Sequence, residues 1–236
     1  VSHPREGGTH RFRAHRATIA AGGGFNADGC GFSGLGTSDA NSRAAAGQTS
    51  ASGGFGPGTS VNSSGGAGFG GHGGGTSPNY GEAYGSDWKW MPLPGSGGGS
   101  GGQTHKVAGA GGGLIWLEVS GTCTLDGSLQ AAGIAKKDDY CPSGSGGGIY
   151  LRACELMLGD AATLSVVGGA AGKDNTCAGG GGRIVVQTAS TGLDFSTVTN
   201  VAPGAVIGTK SPYKYPGDGG TFALRPYPGG TMIFVR

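Results

Sequence analysis

Charge is scarce in this sequence: Lys, Arg, Asp and Glu make up 13% of 236 residues, and the net charge is +2. No dense Lys/Arg patch lies beyond the N-terminal stretch, which argues against nucleic acid as a partner, because phosphate binding needs such a patch. Long apolar runs are missing too, and none approaches the roughly 18–20 residues of a membrane span. No membrane span is expected. There is no initiator Met and no apolar signal region at the start, so Val1 reads as the first residue of a mature or excised fragment of a longer precursor. Amphipathic helix periodicity is absent as well. Yet low net charge together with clean apolar runs is the opposite of a disordered composition, and the chain is expected to fold.

What the chain has in excess is glycine, 57 residues against a usual share of about 7%. No Gly-X-Y period runs through it, which excludes collagen. Five cysteines, Cys30, Cys123, Cys141, Cys154 and Cys177, form no CxxC pair and have no His at zinc-ligand spacing. No metal or cofactor is expected, and disulfides are the favoured use. Asn62, in Asn62-Ser63-Ser64, is an N-glycosylation acceptor within a Gly/Ser stretch. Disulfide potential and Asn62 together point to an extracellular or cell-surface glycoprotein.

The strongest signal is internal repetition. Three segments begin on glycine runs at Gly111, Gly146 and Gly180, and Ile115, Ile149 and Ile184 start matching strands at separations of 34 and 35 residues. Phe222 begins a fourth, less regular copy. Leu129 and Leu164 match in a later strand, and TIAAGG from Thr18 echoes SLQAAG from Ser128. Within a repeat the apolar period is two: Ile115, Leu117 and Val119 face one side, Trp116 and Glu118 the other. Stacked copies place Trp116 on Tyr150 and Glu118 against Arg152, cross-strand pairs worth about 0.2–1 kcal/mol each.

The runs GGGLIWLEV, GGGIYLRA and GGGGRIVV, each leading into a strand, a turn and a second strand, resemble the glycine-rich parallel β-helix repeats of large secreted and cell-surface proteins. The wider pectin-lyase-like group includes polysaccharide-cleaving enzymes, but no residue set here matches their catalytic motifs. The resemblance implies an all-β parallel β-helix, or solenoid, with long glycine-rich loops. A glycine-rich polyproline-II bundle with β segments is the alternative. One elongated domain over 1–236 is expected, with a glycine-rich loop region at 22–113, core repeats at 114–205 and a terminal coil or cap at 206–236. In the loop region, Phe25, Phe32, Phe55, Phe69, Tyr80, Tyr84, Trp88 and Trp90 supply apolar anchors that a pure linker would not need.

Candidate sites follow from these placements. Cys141 and Cys177 fall at nearly the same point in consecutive loops and are expected to form a disulfide, as are Cys123 and Cys154, with Cys30 left over. Asp126, Asp160 and Asp194 recur at intervals of 34 residues, as a cation or acid ladder or as turn-capping residues. Trp88, Trp90, Tyr80 and Tyr84 could stack on sugar rings, or bury against the strands. Arg5, Arg11, Arg13, Arg16, His10 and His15 form a basic cluster that could meet an anionic polysaccharide, a lipid surface or an acidic neighbour. GxGxxG at Gly29–Gly34 precedes no helix pattern, GxSxG at Gly98–Gly102 lies in a Gly/Ser run, and Gly172-Lys173 lacks the following Ser or Thr of a phosphate loop.

These features favour a structural or adhesive module of an extracellular surface assembly, filament or appendage, whose partners are other copies or other subunits. Carbohydrate binding or polysaccharide cleavage is the second reading. Ice binding would need a regular Thr array, which Thr122, Thr163 and Thr197 do not make. Enzymatic activity is not expected, because no nucleophile, base and stabilising group are assembled by spacing.

Overall fold

The computed structural model describes residues 9–34, 54–60, 65–75, 80–85, 92–99, 108–135, 141–171, 177–206 and 216–228. Within these, ten strands and no helix are found. They are β1 (Thr9–Ala14), β2 (Ala17–Ile19), β3 (Gly24–Asn26), β4 (Leu114–Leu125), β5 (Ser128–Gln130), β6 (Gly148–Leu158), β7 (Thr163–Ser165), β8 (Arg183–Thr188), β9 (Thr199–Asn200) and β10 (Thr221–Pro226). Sheet A runs β1-β4-β6-β8-β10, with β2 also paired to β4; sheet B runs β3-β5-β7-β9. Every pairing is parallel.

The register follows the apolar spacing. Ile115, Ile149, Ile184 and Phe222 are successive partners in sheet A, and Leu129 pairs with Leu164 in sheet B. Alternation then puts Leu117, Leu151 and Val186 on the same inner face, where they meet Leu129, Leu164 and Phe195 in one core between the sheets. Each fully buried Leu or Ile there contributes about 1.5–3 kcal/mol. The N-terminal echo is out of register, however: Thr18 pairs with Thr124 in sheet A, and it is Phe25 that pairs with Leu129. Strand β3 thus belongs to sheet B although it lies inside the stretch read as a glycine-rich loop.

The expected closed β-helix is corrected by this arrangement. Strands form two separate parallel sheets, and among the described residues the segments returning from sheet B to sheet A carry one isolated bridge, Ala171–Val206. Nor is the molecule a polyproline-II bundle with β segments attached, since the two sheets hold the main core. The physical reason is the glycine column Gly113, Gly147, Gly182 and Gly220. A Cβ on Gly147 would strike the carbonyl of Gly113, one on Gly182 that of Gly147, and one on Gly220 that of Gly182. At these positions the chain packs backbone against backbone, with no side chain to make a pleated, half-buried face. Their polar groups are satisfied from one repeat to the next, as in Gly112 N–H to Ser145 O at 2.9 Å and Gly146 N–H to Gly180 O at 2.9 Å.

Parallel sheets are ordinarily covered on both faces by helices. Here glycine-rich chain covers part of the outer face of sheet A. Phe69 is fully buried, its ring 4.8 Å from that of Tyr84 and beneath the Arg183 guanidinium at 5.4 Å. Below them, Tyr150, Val185 and Leu114 form a second, smaller core with Trp116 at its rim.

The expected disulfides are corrected as well: no bridge links any of the five cysteines. Cys141 and Cys177 are both buried in the loops that lead into β6 and β8. For Cys123 and Cys154 the register gives the reason. In β6, Cys154 stands opposite the bulge formed by Ser120 and Gly121, whereas Cys123 pairs with Leu156 and is buried in the core. Without bridges, the cysteines do not point to an oxidising, extracellular setting.

Candidate functional site

A groove of about 510 Å³ opens on the outer face of sheet A, at a place that the described residues of the glycine-rich layer do not line. Its walls include Arg13, His15, Glu118, Ser120, Arg152 and Tyr227. Strand alternation supplies Arg13, Glu118 and Arg152, which are register neighbours on β1, β4 and β6. The bulge at Ser120–Gly121 supplies the rest of that wall. Gly121 N–H donates to the His15 carbonyl at 2.9 Å, and a Cβ on Gly121 would press on the same carbonyl and the imidazole. Glycine is therefore needed there, and the bulge turns Ser120 Oγ to within 3.0 Å of His15 Nδ1.

Glu118 is the acidic member of the groove, and it is already engaged. Arg11 Nη2 donates to Oε2 at 2.5 Å, Arg13 Nε to the same oxygen at 3.1 Å, and Trp116 Nε1 to Oε1 at 3.0 Å. Partial burial raises the carboxyl's pKa, but the hydrogen bonds from Arg11 and Arg13 more than reverse this and hold it below its ordinary value. The Arg11 guanidinium also lies over the Trp116 ring at 4.6 Å. Although Glu118 and Arg152 are register partners, the expected ion pair between them is not made. Arg152 instead lies over the ring of Tyr227 at 5.1 Å, and its Nε is buried without a hydrogen-bond acceptor among the described residues. A nucleophile–base arrangement of Ser120 and His15 lacks its orienting acid, because Glu118 is held by the two arginines.

The other candidates are placed as follows. Asp126 Oδ1 accepts from Ala161 N–H at 2.9 Å, capping the next turn, and Asp194 Oδ1 accepts from Ser196 N–H at 2.8 Å within its own turn. That backbone hydrogen bond lowers the Asp194 pKa. Asp160 and Asp194 line a shallow depression of about 530 Å³ that Asp126 does not reach, and no group of three or more metal-ligating side chains occurs among the described residues. Tyr84 lies under the glycine layer: its hydroxyl donates to Pro94 O at 2.5 Å and accepts from Ser96 Oγ at 3.0 Å, and burial pushes its pKa up. Tyr80 stacks edge-on against His72 at 5.3 Å, and His72 Nδ1 lies 3.0 Å from Glu82. Trp88, Trp90 and Asn62 lie outside the described residues, as do Arg5 and the side chain of His10. Sequence reasoning found the basic cluster but missed Tyr227. The signal was available: Phe222 in register with Ile184 puts Tyr227 just beyond Thr188, on the edge beside the Arg152 column.

Two helix-free parallel sheets, backed by a glycine layer and carrying a cation-lined groove, define the chain as a stacked parallel-sheet protein. No protein-family model, curated protein or solved structure matches it.

Proposed function

We propose that the chain is a structural or adhesive module of an extracellular surface assembly or filament, extended by adding copies along the axis on which its strands stack. The observation that carries this reading is the way the core column ends. Phe12, Leu117, Leu151, Val186 and Leu224 are successive register partners on the inner face of sheet A; the middle three are buried, while Phe12 is 44% and Leu224 45% exposed. These two residues sit on β1 and β10, the outermost strands of the sheet, whose outer edges pair with no other described strand. An open edge is a template for a further parallel strand, and unlike ends that pair head to tail do not close a ring unless the rotation permits. A second copy fits because its opposite end continues the same column with the same alternation. The location outside the cell is part of the proposal, as is the identity of the partners as further copies; catalysis is not.

The test uses two variants. Phe12→Lys and Leu224→Lys should each leave the fold intact and abolish concentration-dependent association in sedimentation velocity, while an equimolar mixture of the two should form dimers, because each retains one intact end. A wild-type chain that stays monomeric at its highest soluble concentration, or a mixture that stays monomeric while the wild type assembles, would sink the head-to-tail reading.

A further inference from the structure

We infer that the groove lined by Arg13, His15, Ser120, Arg152 and Tyr227 binds an acidic sugar unit of a polysaccharide, its anionic group on the Arg152 guanidinium and its ring against Tyr227. The inference goes beyond end-to-end assembly and does not depend on it.

The charge balance of the groove is the first ground. Arg13 and Arg152 line it, and its carboxylate, Glu118, is drawn aside by Arg11, Arg13 and Trp116. Arg152 is left without an acidic partner among the described residues, although the register brings Glu118 directly opposite. A guanidinium presents five N–H donors in a plane; with the Arg152 Nε buried, the side chain that lines the groove would meet a carboxylate or sulfate through its terminal Nη groups, which can give two parallel hydrogen bonds.

The second ground is shape. A cavity of about 510 Å³ is within the usual range of small-ligand sites, roughly 300–1,000 Å³, and is far larger than an inorganic anion needs. Around the cation stand groups suited to sugar hydroxyls: Ser120 Oγ, the His15 imidazole and the Tyr227 phenol, whose ring is fixed by the Arg152 contact. The groove runs across β1, β4 and β6 and on to the chain beyond β10, so a polymer could lie along it with one unit seated.

The anionic group could be a uronate carboxylate or a sulfate ester, and titration calorimetry separates them. Dilute, monomeric protein is titrated with trigalacturonate, a sulfated galactotriose, neutral galactotriose and inorganic sulfate, so that binding and assembly are read independently. One or both anionic trisaccharides should bind at least about tenfold more tightly than the neutral sugar and than sulfate alone. Arg152→Gln should remove that preference, Arg152→Lys should keep part of it, and His15→Gln, at an exposed position that should not disturb folding, should weaken binding by a smaller factor. The stronger of the two anionic sugars names the source. Equal binding of the neutral sugar, equal binding of inorganic sulfate, binding of none of the four, or unchanged affinity in a folded Arg152→Gln or His15→Gln protein would each overturn the inference.

Discussion

At the scale of single residues, burial does more than charge. Arg11 and Arg13 both reach Glu118, but their side chains are 37% and 68% exposed, and ion pairs so wetted contribute between zero and about 1 kcal/mol. Cys123 shows the contrary case: desolvation in the core pushes its thiol from 9.0 up to about 11. Between those values the folded chain keeps a proton that the unfolded chain has released, so stability is unaffected below pH 9 and falls as pH rises toward 11. A shift of this size corresponds to roughly 2–3 kcal/mol. Urea midpoints measured from pH 8 to 11 should therefore drop in the wild type, and Cys123→Ala should flatten the early part of that drop. Tyr84, whose phenol is also pushed up by burial, should maintain a decline above pH 10 in both proteins. Identical slopes from pH 9 to 10 would contradict the assignment to Cys123.

Among the elements, the strands of the repeats were legible, while β3 and the segments between strands were not. The period-two alternation of Ile115, Leu117 and Val119 and the spacing to Ile149 and Ile184 translate directly into register, because a parallel ladder repeats the same faces from strand to strand. The bulge at Ser120–Gly121 was invisible, since it arises from the approach of the His15 backbone, more than a hundred positions away in the chain. The glycine segments carry no periodic side-chain signal, and their role is read only from what each backbone touches. Gly147 is the clearest position, with the Gly113 carbonyl where a methyl group would go. Gly147→Ala should lower the unfolding free energy by about 1–3 kcal/mol, the range for overpacking. Gly192, with a φ of 74° but open space around it, should respond to alanine only through backbone strain. A larger loss at Gly192 than at Gly147 in chemical denaturation would remove the close-packing account of the column.

For the molecule as a whole, order along the stack should set local stability. Strand β6 is paired on both edges, to β4 and β8, whereas β1 and β10 are paired on one edge among the described strands. Amide hydrogen exchange should therefore be slowest in β6 and fastest in β1 and β10, with opening progressing from the ends of the stack inward. Uniform protection across sheet A would instead mean that the outer edges are covered. The sequence by itself determined the strands of the repeats, their inner and outer faces and the spacing that brings Ile115, Ile149, Ile184 and Phe222 into one column, because alternation and repeat length are properties of the chain alone. Tertiary structure decided the rest. Two separate sheets in place of a closed coil follow from glycine backbones that leave no face for a third sheet. That Cys123 and Cys154 do not meet follows from a bulge. The pairing of Arg152 with Tyr227 rather than Glu118 follows from competition among cations on neighbouring strands, which depends on positions in space that no spacing along the chain records.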